Sequence, residues 1–418
     1  MSVGTPHPAS RLAIVLSHPT QYYSPWFRWM RAHTALEFRV FYLWEFGVTA
    51  QRDPLFQTTF KWDVDLLSGY EHEFVPNTAA DPGTHHFAGL RNPRLPARLT
   101  AWGPTAVLLF GYNWLSPLRA LAWARLNRVP ALFRGDSHLL GRGAPPPRTR
   151  LVLRTLYAQF AAFLPVGAAN RDYFTTLGVP ERKLFFTPHS VNHELFDPAL
   201  TVHRDAAAKL RAELGLAPGT RVVLFAGKFT PAKQPVELLR AFLAIQKPDT
   251  ALVFVGDGPE KAALKELAQA ATVGASAPAN KSAAARAEVH FLPFANQTEM
   301  PARLLLADVF VLPSRGHYET WGLAVNEAMH LGVPALVSDL VGCQRDLVED
   351  GETGWVFRAA DPAALRAKLA LALDAVAAPA GRERLRHAVL ARIAGYTYAQ
   401  TTAGLISALN ALPEPASA

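Results

Sequence analysis

The stretch 314-SRGHYETWGLAVNEAMHLGVPALVSD-339 holds a loop, a helix and a strand in succession. Good helix formers begin at Trp321 or Gly322 and continue to about His330, and Gly332 ends the pattern. Apolar runs typical of strands stand on both sides, VFVLPS before the helix and PALVSD after it. A strand, a helix and a second strand in this order predict a parallel β-α-β unit.

The same alternation extends over most of the chain. Six apolar runs, from LAIVLSH to LFFTPHS, are typical of strands, and a second series of six begins with RVVLFAG and ends with GWVF. Amphipathic segments such as PVELLRAFLAI separate many of these runs. We therefore predict an α/β protein with two doubly wound, Rossmann-like domains that face each other across a cleft. The length of 418 residues agrees with two domains.

The predicted domain boundaries follow the breaks in this pattern. A polar stretch with a proline separates one domain at residues 1–197 from a second at 198–395. Residues 396–418 are predicted to form a helix that packs back towards the first domain and to end in a disordered tail. The small-residue segment 272–287 is predicted to be a mobile surface loop.

Composition restricts the classes of function. Cys343 is the single cysteine, which excludes an internal disulfide and a cysteine-based metal site and favours a packing role over a catalytic thiol. Residues 1–200 hold 20 Lys and Arg against 13 Asp and Glu, whereas the rest hold 22 against 21. This basic excess predicts either an anionic partner for the first half, such as a phosphate-bearing substrate or an acidic membrane face, or merely a soluble Arg-rich surface.

The sequence also bears on cellular location. No run resembles a signal-peptide core or approaches the ~20 apolar residues of a membrane span. We therefore expect a cytoplasmic protein, and attachment to the inner membrane face is a further hypothesis. Four arginines around a proline turn carry that hypothesis: Arg142, Arg148, Arg150 and Arg154. Their helix is typical either of a basic surface on anionic lipid or of an ordinary solvated helix face.

Two glutamates, Glu319 and Glu327, stand eight positions apart in the opening stretch. Between them lie the free N–H groups of a helix start, which bind anions. A sugar nucleotide presents a hexose, a diphosphate and a ribose in line, and this arrangement suits one carboxylate at each end and the helix start in the middle. Glu327 would then point out of the core into a nucleotide pocket. On spacing alone, helix capping by Glu319 and a solvated Glu327 explain the pattern equally well.

Further motifs accompany this pair, among them GKFTPAK (227–233) and GDGP (256–259). In combination they resemble the bacterial retaining glycosyltransferases of family 4, which have the GT-B fold and a Glu-x7-Glu motif. The stretches HPTQY, WDVDLLSGY and RGDS resemble a bacterial branch of the same family. The resemblance implies transfer of a sugar from a UDP- or GDP-sugar to a glycan, a lipid-linked glycan or another hydroxyl acceptor, in cell-envelope or extracellular polysaccharide assembly.

The resemblance also assigns roles to domains and residues. Residues 1–197 become the acceptor side, and residues 198–395 bind the nucleotide sugar. The residues with predicted catalytic roles are Glu319, Lys228, Lys233 and Asp136. The residues predicted to bind the donor are Glu327, Thr320, Trp321, Gly322, Leu323, Gly227, Gly256, His18, Arg134 and His138. Trp62 and Asp63 either line the acceptor side or hold a loop in place.

The predicted transfer relies on side chains of the protein itself. Lys228 and Lys233 stabilise the departing diphosphate, so neither a metal nor a cofactor is expected, and nucleic acid is not expected as a partner. The usual arginine of the family is Lys228 here, so one bidentate contact to the diphosphate is lost.

Two rival functions stay open at the level of sequence. One is another enzyme of the same fold, such as a nucleotide-sugar epimerase or a phosphorylase. The other is a sugar-nucleotide-binding protein without activity, which has no need of Glu319 or of the polar loop at 134–138. The first strand is followed by no Gly-x-Gly-x-x-Gly, which counts against a nicotinamide-dependent enzyme.

Overall fold

The structure is a computed structural model that describes residues 10–49, 51–53, 58–274, 288–316 and 319–413. Within these ranges the chain forms two six-stranded parallel sheets and one small antiparallel hairpin. The strands of the first half are β1 (Arg11–Leu16), β2 (Glu37–Tyr42), β3 (Gln51–Asp53), β4 (Thr58–Phe60), β5 (His72–Phe74), β6 (Ala106–Phe110), β7 (Ala131–Arg134) and β8 (Ala162–Phe163). Those of the second half are β9 (Arg221–Ala226), β10 (Thr250–Val255), β11 (Glu288–Leu292), β12 (Val309–Leu312), β13 (Ala335–Ser338) and β14 (Gly354–Phe357).

Helices connect most of the strands and cover both sheets. Those of the first half are α1 (Tyr23–His33), α2 (Leu95–Trp102), α3 (Leu115–Leu126), α4 (Pro147–Tyr157) and α5 (Ala168–Thr176). The second half contains α6 (Thr201–Glu213), α7 (Pro235–Ile245), α8 (Lys261–Gly274), α9 (Met300–Leu304), α10 (Leu323–His330), α11 (Gln344–Leu347), α12 (Pro362–Ala375), α13 (Pro379–Ile393) and α14 (Tyr398–Asn410). None of the described helices has the length and hydropathy of a membrane span.

The two parallel sheets have the same topology. Their strand orders are β5-β2-β1-β6-β7-β8 and β11-β10-β9-β12-β13-β14. When the strands are numbered within their own sheet, which leaves out the hairpin β3-β4, each order is 3-2-1-4-5-6, the order of a doubly wound sheet whose ligand crevice lies beyond the carboxyl ends of strands 1 and 4. The predicted pair of Rossmann-like domains is therefore confirmed. The expected ligand crevices lie beyond β1 and β6 in one domain and beyond β9 and β12 in the other.

Each sheet buries both of its faces. In β1, Ala13 and Val15 belong to one apolar cluster, while Leu12 and Ile14 belong to the cluster on the other face. The alternating residues of β9 divide in the same way between two further clusters. Strands that are covered on both sides have apolar residues at every position, which explains why these runs are continuous rather than alternating.

Helix α14 returns to the first domain. Tyr398 and Leu405 join the apolar cluster that contains Trp26 of α1. The indole Nε1 of Trp26 donates a hydrogen bond of 2.9 Å to Thr402 Oγ1. The chain therefore crosses between the domains twice, once before α6 and once before α14.

The structure departs from the predicted strands at the run LFFTPHS, residues 184–190. Leu184 forms a bridge to Phe163 of β8, and Phe185 and Thr187 donate their N–H groups to the carbonyls of Phe163 and Pro165 at 2.9 Å, but these residues lie outside any strand. Pro165 and Pro188 have no backbone N–H, so the pairing cannot continue along both segments. Most of the predicted loop 272–287 and of the predicted tail lies outside the described residues.

Candidate active site

The ligand crevices of the two domains meet directly. Thr320 Oγ1, in the loop after β12, donates a 2.7 Å hydrogen bond to Asp136 Oδ2, in the loop after β7. His138 Nε2 lies 3.2 Å from the carbonyl oxygen of Glu319. Since Nδ1 of His138 accepts the N–H of Leu140 at 3.1 Å, Nε2 carries the hydrogen and donates it to Glu319. Asp136 and His138 of the first half and Glu319 and Thr320 of the second, all predicted site residues, therefore come together in one cleft.

Other contacts hold the domains against each other beside this cleft. The backbone N–H of Ala168, at the start of α5, lies 3.0 and 3.1 Å from the two carboxylate oxygens of Asp346. Arg345 pairs with Asp172 at 2.5 Å. The structure thus shows the domains in contact along the cleft, and entry of a large ligand would require them to separate.

A lysine–carboxylate pair stands on the second-domain side of the cleft. Lys233 Nζ bonds Glu319 Oε2, which also accepts a 2.8 Å hydrogen bond from Ser314 Oγ. The side chains of Lys233 and Glu319 are 28% and 11% exposed. Helix α10 starts four residues after Glu319, with Gly322 at its N-cap in a left-handed conformation (φ 101°). Glu319 therefore lies close in sequence to the free N–H groups at the start of α10.

Two glycines shape the loops around this pair. A Cβ at Gly256 would lie 2.0 Å from the carbonyl oxygen of Gly227, and Gly256 has φ 140°. Phe229 donates its N–H to the carbonyl of Asp257 at 2.8 Å, which ties the loop after β9 to the loop after β10. Lys228 is partly exposed within this tied loop. The close approach of the two backbones leaves no space for a side chain.

Glu327 is buried within α10, with 3% of its surface exposed. Burial raises the pKa of Glu327 to about 7, although hydrogen bonds from Gln297 and Tyr22 act in the opposite direction. Gln297 Nε2 lies 3.3 Å from Glu327 Oε1. We predicted a carboxylate that faces an open nucleotide pocket. The structure instead shows it covered by Tyr22 and Gln297, one side chain from each domain.

Asp63 holds the loop that carries Gln297. Its carboxylate oxygens accept the backbone N–H of Thr298 at 3.2 and 3.3 Å and also the Thr298 hydroxyl. Asn296 Nδ2 donates to the carbonyl of Lys61 at 2.8 Å. Of the two alternatives for Asp63, the structure therefore shows the one in which it holds a loop in place.

A cavity of about 230 Å³ opens on the first-domain side of the cleft. Aromatic side chains form much of its wall, and Asp136 lies at its edge with 42% of the side chain exposed. Its lining includes Ser17, Tyr23, Tyr112, Asn113, Trp114, Arg134, Ser137 and His189. Most of these residues lie at or after the ends of β1, β6 and β7, as the strand order requires, whereas His189 lies in the connection after β8.

Asp136 and His189 form the polar part of this cavity. Burial opposes ionisation of Asp136, but the nearby His189 and the hydrogen bond from Thr320 outweigh it and lower the pKa of Asp136. Burial lowers the pKa of His189, so its ring is neutral at neutral pH. His189 Nε2 lies 3.8 Å from Asp136 Oδ2 and has no hydrogen-bond partner among the described residues. A carboxylate and a buried imidazole nitrogen without a hydrogen-bond partner among the described residues therefore lie side by side at this cavity.

Three predicted donor-binding side chains are used for packing in this conformation. Arg134 is 2% exposed and donates to the carbonyl oxygens of Thr187 (2.8 Å) and Pro188 (3.4 Å), so its guanidinium fixes the connection between the domains. The Trp321 indole is 3% exposed and donates to Asn326 Oδ1 at 2.8 Å. The Leu323 side chain packs against the apolar core of the second domain. A donor would meet the backbone at 321–323 rather than these two apolar side chains.

His18 lies outside the cavity lining. Its ring packs edge-on against Trp44 and Phe46, with centroids 5.6 and 5.3 Å away, and Nδ1 lies 3.0 Å from Ser17 Oγ. Burial lowers the pKa of His18 to about 4. The structure therefore places His18 as a neutral ring in an aromatic cluster behind Ser17.

Several residues of the site were not predicted from the sequence. Tyr22, Gln297, His189 and Asn326 all contact it, and Asn326 connects the domains by donating to the His189 carbonyl at 3.1 Å. Polar residues directly after strand-like runs were the available signal. For His189 that signal was hidden, because the run LFFTPHS was interpreted as a strand.

Comparisons with known proteins agree with this geometry. Residues 207–386 match the family described as glycosyl transferases group 1. A D-inositol 3-phosphate glycosyltransferase of Streptomyces avermitilis is 34% identical over 330 residues, which cover 72% of this chain and 68% of that relative. Another of that name, from Nocardia farcinica, is 35% identical over 219 residues, 49% of this chain but only 43% of the relative.

Solved structures resemble the whole chain in fold. A glycosyltransferase of Rickettsia africae has a TM-score of 0.72 at 11% identity, over 97% of this chain and 98% of its own. Anabaena HepE, in complex with UDP and glucose, has a TM-score of 0.66 at 17% identity, over 96% of this chain and 100% of its own. At such identities the likeness shows a common two-domain fold, the GT-B fold predicted above. With the relative from Streptomyces, the comparisons show that this chain belongs to the group 1 glycosyltransferases.

Proposed function

We propose that the protein is a retaining, family 4 glycosyltransferase that moves a sugar from a UDP- or GDP-sugar to a hydroxyl acceptor. One observation carries the proposal: the Lys233–Glu319 pair of one domain adjoins Asp136 of the other through Thr320. A lysine for the diphosphate, a carboxylate for the sugar hydroxyls and an ionised carboxylate facing a separate cavity are the groups that glycosyl transfer requires. The crystallised Anabaena neighbour holds UDP and glucose, which supports a donor of this class.

The donor would bind between the loops after β9 and β12. Lys228, Lys233 and the first N–H groups of α10 would stabilise the negative charge that builds on the departing diphosphate. Glu319 orients Lys233 and has a second oxygen for a sugar hydroxyl. We propose that the ribose diol displaces Tyr22 and Gln297 from Glu327 when the domains open. This scheme requires no metal or cofactor for the transfer.

The acceptor would bind in the first-domain cavity. Tyr112 and Trp114 offer aromatic faces to a sugar or polyol ring, and the unused His189 nitrogen offers a hydrogen bond to a hydroxyl. Asp136 would orient the attacking hydroxyl, and the departing phosphate oxygen would take its proton. Arg134 is the single cation in this lining and is occupied by carbonyls. We therefore propose a neutral glycan or lipid-linked acceptor at this point, unlike the phosphorylated one in the relatives' names.

Ligand-dependent thermal unfolding tests the donor site. A nucleotide at ~100 times its dissociation constant adds about 2.7 kcal/mol to the folded state. For a domain near 200 residues this raises the unfolding midpoint by roughly 5–10 °C. We expect one of UDP, GDP and ADP to do so selectively, and Glu319→Gln to reduce the shift. Glu349→Gln is the control, because Glu349 forms an exposed ion pair with Arg392 in the same domain.

A transfer assay separates the rival functions. Incubation of the stabilising nucleotide's glucose and galactose conjugates with candidate acceptors should give a product with the donor's anomeric configuration, measured by proton NMR. Conversion of the donor without an acceptor would instead support an epimerase, and phosphate-dependent cleavage would support a phosphorylase. The absence of any shift with millimolar nucleotides would contradict the proposal.

We further propose that α4 lies on an anionic membrane surface of the cytoplasmic side, in cell-envelope or extracellular polysaccharide assembly. Leu151 and Val152 of this helix are 67% and 66% exposed, and Arg148, Arg150 and Arg154 surround them. Exposed apolar side chains among basic ones are typical of helices that lie in a lipid interface. Replacing Leu151 and Val152 by Asp should abolish sedimentation with vesicles that contain 30% phosphatidylglycerol, about the anionic share of an acidic membrane.

The control for this experiment is Leu126→Asp. Leu126 is 85% exposed and ends α3, a different helix from the one that carries Leu151 and Val152. Sedimentation that persists in the α4 variant, or that occurs equally with neutral vesicles, would rule out this surface.

A further inference from the structure

A cluster of three metal-ligating side chains lies outside the active site described above. Asp81, His85 and His86 place one carboxylate oxygen and two imidazole nitrogens within 4.8 Å of one another. His85 Nε2 lies 2.8 Å and His86 Nε2 3.5 Å from Asp81 Oδ2. Within the ranges that the structure describes, no other group of three or more His, Cys, Asp or Glu side chains converges in this way.

We propose that Asp81, His85 and His86 form a binding site for a divalent transition metal of the zinc class. In a tetrahedral zinc site with bonds of 2.0–2.1 Å, neighbouring ligand atoms are about 3.3 Å apart. The observed separations of 2.8 and 3.5 Å bracket this value. Two imidazoles and one carboxylate are a ligand set that zinc accepts, and water would complete the shell.

The loop that carries these ligands is held in shape at its base. Thr78 donates its N–H to the carbonyl of Arg91 at 2.8 Å. Asn77 donates Nδ2 to the carbonyl of Gly89 at 2.8 Å and accepts the N–H of Arg91 at 3.1 Å. A loop whose ends are joined in this way loses less conformational entropy when its side chains are gathered around an ion.

Glycines inside the loop make room for the ligands. A Cβ at Gly83 would lie 2.6 Å from Nδ1 of His85, and one at Gly89 would lie 2.3 Å from the carbonyl oxygen of Gly83. The carbonyl of Asp81 lies 2.9 Å from His86 Nε2 and can only accept, so that nitrogen carries its hydrogen here. Metal binding would move this hydrogen to Nδ1, which keeps the imidazole neutral and leaves the lone pair of Nε2 for the metal.

The site adjoins the wall of the first-domain cavity. The indole Nε1 of Trp114, which lines that cavity, donates a 3.1 Å hydrogen bond to the carbonyl of Thr84, inside the same loop. An ion bound to this loop would therefore stabilise the position of Trp114. This places the metal at the border of the proposed acceptor cavity and outside the transfer chemistry, so the metal site does not depend on the proposed function.

Zinc titration of the full chain, purified without a polyhistidine tag, tests the proposal. Isothermal calorimetry should show one Zn²⁺ per chain, with saturation below about 100 µM. The double substitution His85→Ala and His86→Ala should weaken binding more than about 100-fold, because loss of outer partners alone costs 10–100-fold. Asp81→Asn should weaken it to a smaller extent.

A matched control separates this site from ordinary surface binding. His387 pairs with Glu383 at 3.1 Å on α13, and within the described residues no third ligand converges on this pair, so His387→Ala should leave the titration unchanged. As a second measurement, Zn²⁺ should slow amide hydrogen exchange across residues 77–91 in the wild type but not in the double variant. Failure of the wild type to bind Zn²⁺, or equal binding by the double variant, would overturn the proposal.

Discussion

The loop after β1 and the loop after β9 occupy the same place in two sheets of the same strand order, yet they carry side chains of different chemical character. The loop after β9 carries Lys228 and places Lys233 next to Glu319 in the cleft. The loop after β1 delivers Ser17 and, behind it, the neutral ring of His18. We call the first the charged edge and the second, whose cavity has aromatic walls, the aromatic edge; under the proposed function they would receive an anionic donor and a neutral acceptor.

The residues that follow β2 and β10, the second strand of each sheet, differ in how closely a neighbouring backbone can approach them. Tyr42 ends β2 and is followed by Leu43, whereas Val255 ends β10 and is followed by Gly256. The missing side chain at Gly256 lets the loop after β9 approach, since a Cβ there would reach the carbonyl of Gly227. The comparison teaches that a common topology fixes where a site lies, while a few side chains at the strand ends decide what it binds.

The largest expected effect is on the charged edge. Lys233→Met removes the cation next to Glu319 and should lower kcat/KM for transfer by about 10²–10³-fold. A loss of this size is typical when one group that stabilises transition-state charge is removed. Steady-state release of the nucleoside diphosphate measures it. Lys247→Met is the control, because Lys247 also pairs with a carboxylate, Asp374, but precedes β10 at the opposite end of the sheet. Equal losses in both variants would mean that the pair acts only on stability.

The second prediction concerns Gly256 on the charged edge. The equivalent residue on the other edge, Leu43, has a side chain. Gly256→Ala should lower the free energy of unfolding by about 3 kcal/mol, from overpacking against the Gly227 carbonyl and from an unfavourable backbone conformation. Gly219→Ala should have little effect, because no atom lies within 4 Å of its Cβ position. Denaturant unfolding measures both. A neutral Gly256→Ala would show that the two loops can move apart without cost.

The charged edge was also the part that could be predicted from the sequence. Lys233 and Glu319 stand in local motifs, and α10 begins at Leu323, one residue after the predicted limit. Glycines and charged residues that directly follow strands can be recognised from the local sequence alone. The aromatic edge could not be predicted in this way, because its cavity joins residues that follow four different strands.

Contacts between the domains were the other part that could not be predicted. Tyr22 and Gln297 cover Glu327 only because the two domains lie together, and no local pattern encodes that contact. The role of Arg134 was misplaced for a similar reason. Its position after a strand suggested a ligand, while the carbonyls that it binds lie 53 and 54 positions further along the chain.

The third prediction uses the opposite pKa shifts of two carboxylates, Glu327 on the charged edge and Asp136 on the other. A raised pKa means that folded protein holds the proton of Glu327 more tightly than the unfolded chain does. The contribution of Glu327 to the unfolding free energy is therefore greatest below pH 4.5 and falls as pH rises through about 7. Between pH 5 and 8 this group should account for a loss of roughly 2–3 kcal/mol, which Glu327→Gln should remove.

The carboxylate of the other edge should behave in the opposite way. The pKa of Asp136 is lowered, so its stabilising contribution is present above pH 3.8 and is lost as the pH falls. Asp136→Asn should therefore change the pH profile of stability only in acid. Calorimetric midpoints from pH 3 to pH 8 measure both variants. Identical profiles for wild type and Glu327→Gln between pH 5 and 8 would show that Glu327 is not buried as described.

The smallest expected effect lies where the edges meet. Asp63→Asn weakens the hold of the first domain on Thr298 and hence on the loop of Gln297. An exposed contact of this kind contributes about 1 kcal/mol, so donor affinity should change about fivefold or less, with kcat nearly unaltered. Glu71→Gln is the control, since Glu71 forms an exposed ion pair with Arg39 within the first domain. Because Gln297 also covers Glu327, the direction of the change is informative. Weaker donor binding would mean that Asp63 preserves the closed cleft. Tighter donor binding would mean that Asp63 helps to keep Glu327 covered. No change in donor affinity or in kcat would show that the two edges act independently here.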